Sequence, residues 1–136
     1  MHSPRQVMAA TSLMRLSPAD TFKAARMLIS SSYVWTQNAR ARDSHGNKCA
    51  PNDPDASQWS INGALAVVSN PQGITPTWLL QCLDQLVVEC GQAELLYSEG
   101  GVLLWSNCDD LNDDRSHADV LNLLTTAESW MRGNGY

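Results

Sequence analysis

Four helix-starting signals recur along this chain of 136 residues, and they constrain the fold more than any other feature. Ser17-Pro18-Ala19-Asp20 supplies an N-cap hydroxyl, a proline whose fixed φ suits a first helical position, and an acid three residues after the cap. Asp53-Pro54-Asp55 repeats the pattern, Thr75-Pro76-Thr77 repeats it again, and Ser116 with Asp119 forms a capping box. A mainly α chain follows.

Apolar spacing extends each signal into a helix. Phe22, Ala25, Leu28 and Ile29 form a stripe on the first, which should run to about Ser30. The second is expected from Asp53 to about Val68, with Ala56, Ser60, Gly63, Ala64 and Val67 making a small-residue side that another helix approaches closely. The third buries Leu79, Cys82, Leu83, Leu86 and Cys90 and stops at Gly91; the fourth buries Val120, Leu123, Leu124, Ala127, Trp130 and Met131. Between them, Gly100-Gly101 allows a small β-hairpin near residues 94–105, and a short helix followed by an extended segment fits nearly as well. The expected architecture is a compact single-domain bundle of about four helices over residues 17–132. Residues 1–16 read as a weakly ordered arm or an extra helix, and 133–136 as a frayed tail.

A chain of this length supports one core without a disulfide or a metal. It carries no apolar run long enough for a membrane span and no signal-peptide pattern, so a cytoplasmic location and reduced thiols at Cys49, Cys82, Cys90 and Cys108 are expected. The net charge of −5 hides a gradient: residues 1–66 hold seven bases and four acids, and residues 67–136 hold two and ten. Such a balance makes nucleic acid an unlikely direct ligand, because affinity for phosphate depends on Lys and Arg displacing counterions.

Few arrangements resemble a reaction centre. Asp110-x-Asn112-x-Asp114 opens like a calcium loop, but Arg115 stands where that loop needs glycine and Leu121 where it needs a bidentate Glu. Three scattered histidines suggest no metal cluster, and Ser60 lacks a nucleophile elbow. No catalytic residue, metal site or cofactor is therefore expected. His117, close in sequence to Asp113, is conceivable as a general base and reads more simply as a polar residue of a helix's first turn. Arg40 and Arg42 could clamp a carboxylate, and Trp35, in the loop after the first helix, is the tryptophan best placed to serve as a binding hot spot.

Trp35, Gln37, Ala41-Arg42-Asp43 and Gly46, then Asp55-Ala56, Trp59-Ser60 and Gly63-Ala64-Leu65, and later Leu111-Asn112-Asp113 with Ala118-Asp119-Val120-Leu121, resemble a family of small domains of unknown function. That family is found in bacteria, notably actinobacteria, and in their phages. The resemblance implies that the Arg42-Asp43 loop, the Gly63-Ala64 helix and the Asn112-Asp113 turn meet in space. Ser60 stands where members commonly show cysteine, so no thiol chemistry carries over.

The first functional expectation is a non-enzymatic protein-binding module, such as a phage or mobile-element accessory protein that engages a host defence complex through an acidic surface. Its candidate binding residues are Trp35, Arg40, Arg42, Asp43, Asp109, Asp110, Asn112, Asp113 and His117. The alternative is a small-molecule or metal-binding domain with a site near Arg42, Asp43, Asn112, Asp113 and His117.

Overall fold

The Ser17 signal acts as read: its hydroxyl accepts from the Asp20 amide at 3.1 Å, and helix α1 runs Pro18–Leu28. This computed structural model describes residues 16–70, 73–95 and 105–136, with 91–95 described by backbone alone. The expected N-terminal arm and most of the expected hairpin lie outside those residues. After α1 come a single 3-10 turn, Ser32–Val34, and strands β1 (Ala41–Asp43), β2 (Lys48–Cys49) and β3 (Ala56–Trp59). Helices α2 (Ile61–Ser69), α3 (Thr77–Leu95), α4 (Cys108–Asp114) and α5 (His117–Gly133) complete the described fold. It is mainly α: five helices and a three-stranded antiparallel sheet in one domain.

The second helix departs from expectation. Asp53 does not cap it; its carboxylate accepts the Asp55 amide at 2.8 Å, and its carbonyl accepts from Ala56 at 3.0 Å. The Asp-Pro-Asp signal closes a turn, because a side-chain acceptor serves a turn as well as a helix start. Ala56–Trp59 then runs extended as β3, and the cap falls to Ser60, whose Oγ accepts from the Gly63 amide at 3.1 Å. The sheet therefore lies at residues 41–59. At the third helix, Gly91 is no stop, since α3 continues to Leu95, which makes residues 94 and 95 of the expected hairpin helical.

The sheet order is β2-β1-β3, with Ala41 opposite both Cys49 and Trp59, and Arg42 opposite both Lys48 and Gln58. One row, containing the fully buried Ala41, faces the helices, and the other faces outward. Gly63 explains how sheet and helix approach each other. A Cβ there would lie 1.8 Å from the Arg40 carbonyl oxygen, so the small side of α2 admits the backbone leading into β1 as well as a helix.

Ala19, Phe22 and Ala25 of α1 with Ile29 just after it, Leu65 of α2, Leu83 and Val87 of α3, and Val120, Leu124, Ala127 and Met131 of α5 form one core. Trp105 joins it at 3% exposed, whereas Trp130, expected inside, is 45% exposed. Helices α1 and α5 run antiparallel, tied by Arg26–Glu128 at 2.7 Å and by Arg132 to Asp20 and Glu128, both at 2.9 Å. Bases and acids of the two halves interleave here, so the sequence gradient does not become two clean poles. Burial raises the Glu128 carboxyl, but hydrogen bonds from Arg132 and Arg26 outweigh it and leave the group below its ordinary value. Arg132 and the Ser17 cap likewise hold Asp20 down.

Two outcomes follow. Gly63→Ala should cost about 2–3 kcal/mol in denaturant unfolding, because backbone must move, while Gly133→Ala, with no atom within 4 Å of the new Cβ, should stay within about 0.5 kcal/mol. Both depressed carboxylates favour the folded state above their unfolded pKa values, and that contribution disappears as pH falls through the folded ones. Thermal stability should therefore drop below about pH 5, and Glu128→Gln should flatten that drop.

Candidate functional site

Helix α4 places an amide at the centre of the molecule. Asn107 caps it, its Oδ1 accepting from the Asp110 amide at 2.9 Å, and the Cys108 amide donates to Asp84 of α3 at 2.8 Å. Cys108 and Leu111 are buried, and Asn112 beside them is 0% exposed. Its Oδ1 accepts from the Trp35 indole at 2.9 Å and from the Ile61 amide at 3.1 Å. Its Nδ2 donates to the Thr36 carbonyl and to Asp113 Oδ1, both at 3.1 Å. Two acceptor bonds and two donor bonds saturate the side chain. Ile61 is the first residue of α2, so Asn112 satisfies one of that helix's orphan amides while Ser60 satisfies another.

The surrounding loop is closed by the same turn. Gln37 Nε2 donates to the carbonyls of Asn112 at 3.0 Å and Arg115 at 3.1 Å. Asn38 sits at φ +61°, a conformation asparagine tolerates, and its amide donates to Asp113 Oδ1 at 2.7 Å. Arg42 donates from Nε to Thr36 Oγ1 at 3.0 Å, from Nη1 to the Gly46 carbonyl at 3.0 Å and from Nη2 to the Gln37 carbonyl at 3.3 Å. Asp43 accepts the amides of His45 and Asn47 and so shapes the β1–β2 turn. His117 Nε2 lies 2.6 Å from the Ile29 carbonyl, which can only accept, so that nitrogen carries the proton. Its ring lies 5.4 Å from the Trp35 ring, centre to centre.

The structure thus brings Trp35, Arg42, Asn112, Asp113 and His117 together, on elements that include the Arg42 loop and the Asn112 turn. Most of their hydrogen bonds run to one another, to the Thr36 hydroxyl and to backbone. Trp35 is half-buried with its N–H engaged; the exposed tryptophans are Trp78 at 50% and Trp130. Asp109, Asp110 and Arg40 stand apart from this network, on the outside. Asp109 has its carboxyl raised by desolvation, with the charges of Asp113 and Asp84 adding to it and Asn62 and Arg40 opposing. Asp110 is held low by the hydroxyl and amide of Ser106, and Asp114 accepts the Trp105 indole at 2.8 Å. Among the described residues no group of three or more His, Cys, Asp or Glu could hold a metal ion, and burial pushes the Cys108 thiol far up, away from its reactive form.

Sequence reasoning left Thr36 and Gln37 out of the candidate residues. One signal was available: Asn112 follows the buried Cys108 by four and Leu111 by one, which turns an amide inward on a short helix.

A family model matches residues 14–129 and is described as a family of unknown function, DUF6197. Searches of the curated proteins and of the solved structures found no match.

Removing the central amide should be expensive. Asn112→Ala leaves a buried helix amide, an indole N–H and a carbonyl without partners, so a loss of about 3–5 kcal/mol is expected in denaturant unfolding. Trp35→Phe removes one donor and should cost about 1–2 kcal/mol.

Proposed function

For a chain that belongs to DUF6197, most of which that family's model spans, we propose a non-enzymatic protein-binding module that engages a basic partner surface through α4. One observation carries the reading. The residues that most resemble reaction chemistry spend their polar atoms inside the protein, whereas α4 presents Asp109, Asp110, Asp113 and Asp114 on its exposed side. Among the described residues, these carboxylates accept hydrogen bonds from neutral groups of Asn62, Ser106, Asn38, Asn112 and Trp105, which orient their negative charge. Four like charges on a seven-residue helix steer a cationic partner and speed its encounter. The sequence resemblance to small domains of actinobacteria and their phages supports a mobile-element accessory protein acting on a host defence complex as the setting for such a module.

The convergence of Arg42, Asn112, Asp113 and His117 is the observation that would favour a small-molecule site instead. Their hydrogen bonds run to one another and to backbone, which favours a structural role for the cluster.

Association of a Lys-rich fluorescent peptide, followed by stopped flow, tests the proposal. The on-rate should fall about tenfold or more between 50 and 500 mM salt, and Asp109→Asn with Asp110→Asn should lower it at low salt. A rate indifferent to both salt and the double substitution would remove the electrostatic basis of the reading.

A further inference from the structure

The outer face of the sheet offers the opposite charge. Cross-strand register sets Lys48, Arg42 and Gln58 in one row on three strands, and in the alternate row Ala41 is fully buried and Trp59 packs against the core. Neighbouring strands lie about 4.8 Å apart, so the two cations sit within reach of the carboxylates of one short segment. Three of the five N–H groups of Arg42 go to neutral acceptors, the Thr36 hydroxyl and the carbonyls of Gly46 and Gln37. Neither Arg42 nor Lys48 forms an ion pair among the described residues. Asp43, next along β1, turns its carboxylate to the hairpin amides of His45 and Asn47. The guanidinium is therefore fixed in place before any ligand arrives, in no ion pair among the described residues and with two N–H groups left over.

At the end of the row, Gln58 Nε2 donates to the Tyr33 carbonyl at 3.1 Å, and Tyr33 itself is 76% exposed. An exposed aromatic residue at the end of a row that carries two cations is the composition of a binding surface. We infer that the Tyr33–Gln58–Arg42–Lys48 face docks an acidic peptide segment of a partner protein, its carboxylates on Arg42 and Lys48 and an apolar side chain on Tyr33. Charge complementarity selects the sign. Length is limited by the chain itself: the net charge is −5, and Asp113 of α4 holds the Asn38 amide at the border of this face, so a long polyanion is repelled. This surface meets the exposed side of α4 only at Asp113, and its test, which leaves α4 intact, is independent of the function proposed above.

The probe is a fluorescein-labelled peptide of sequence Glu-Asp-Tyr-Glu-Asp-Leu-Glu, titrated by anisotropy at low salt, with amide shifts mapping the contact. Binding should perturb the amides of β1–β3, weaken about tenfold in Lys48→Glu and about threefold in Tyr33→Ser, and be unchanged in Asp110→Asn. The Lys48 side chain makes no hydrogen bond or ion pair among the described residues, so its variant should keep the wild-type circular dichroism spectrum. Absence of binding, or equal binding by folded Lys48→Glu, overturns the inference. So does tighter, Lys48-dependent binding of an oligothymidylate of the same length, which would make the occupant a nucleic acid. Lys48-dependent self-association in sedimentation without peptide would assign the face to a second copy and also overturn it.

Discussion

A single buried amide cannot be left half-satisfied, and that constraint organises this domain. Asn112 has four hydrogen-bonding valences and is fully buried, so the folded state must deliver an indole, a helix-start amide, a carbonyl and a carboxylate to one point. They come from three stretches: the post-α1 loop gives Trp35 and Thr36, α2 gives Ile61, and α4 gives Asp113. Arg42 then braces that loop against the β1–β2 turn, and Gly63 lets α2 press against the Arg40 carbonyl. A polar centre of this kind specifies one arrangement, since any slip of α4 leaves several groups unpaired at once.

The outside follows from the inside. With Trp35, Gln37 and Asn112 committed to the network, the carboxylates of α4 and the cations of the outer sheet row are among the charges left at the surface. Elsewhere the charges of the two chain halves neutralise each other, as Arg26 with Glu128 and Arg132 with Asp20 show. Exposed pairs such as Arg132–Asp20 contribute little to stability by themselves, but they keep the α1–α5 seam free of net charge.

How much of this the sequence discloses depends on the range of each interaction. Ser17 and Ser116 act within four residues of themselves, and helices α1 and α5 begin where their local pattern places them. Asp53-Pro54 misleads because the same carboxylate-to-amide bond closes a turn, and the choice is made by Ser60 and by the pairing of β3 with a strand 15 residues away. Strands of two to four residues are too short to show alternation, so the sheet leaves almost no periodic trace. The candidate residues were legible as a recurring set, and their meeting was implied by the family resemblance. Their role was not, because Trp35 and Asn112 are 77 positions apart and nothing local says that one donates to the other.

Hydrogen exchange at the Ile61 amide reads the Asn112 bond directly. In the wild-type chain this first-turn amide, which an ordinary helix would leave to solvent, should be protected nearly as strongly as the core of α5, and in Asn112→Ala it should exchange faster by orders of magnitude relative to α5. Rapid exchange in the wild-type protein, or equal protection in the variant, would contradict the claim that this amide holds the fold together.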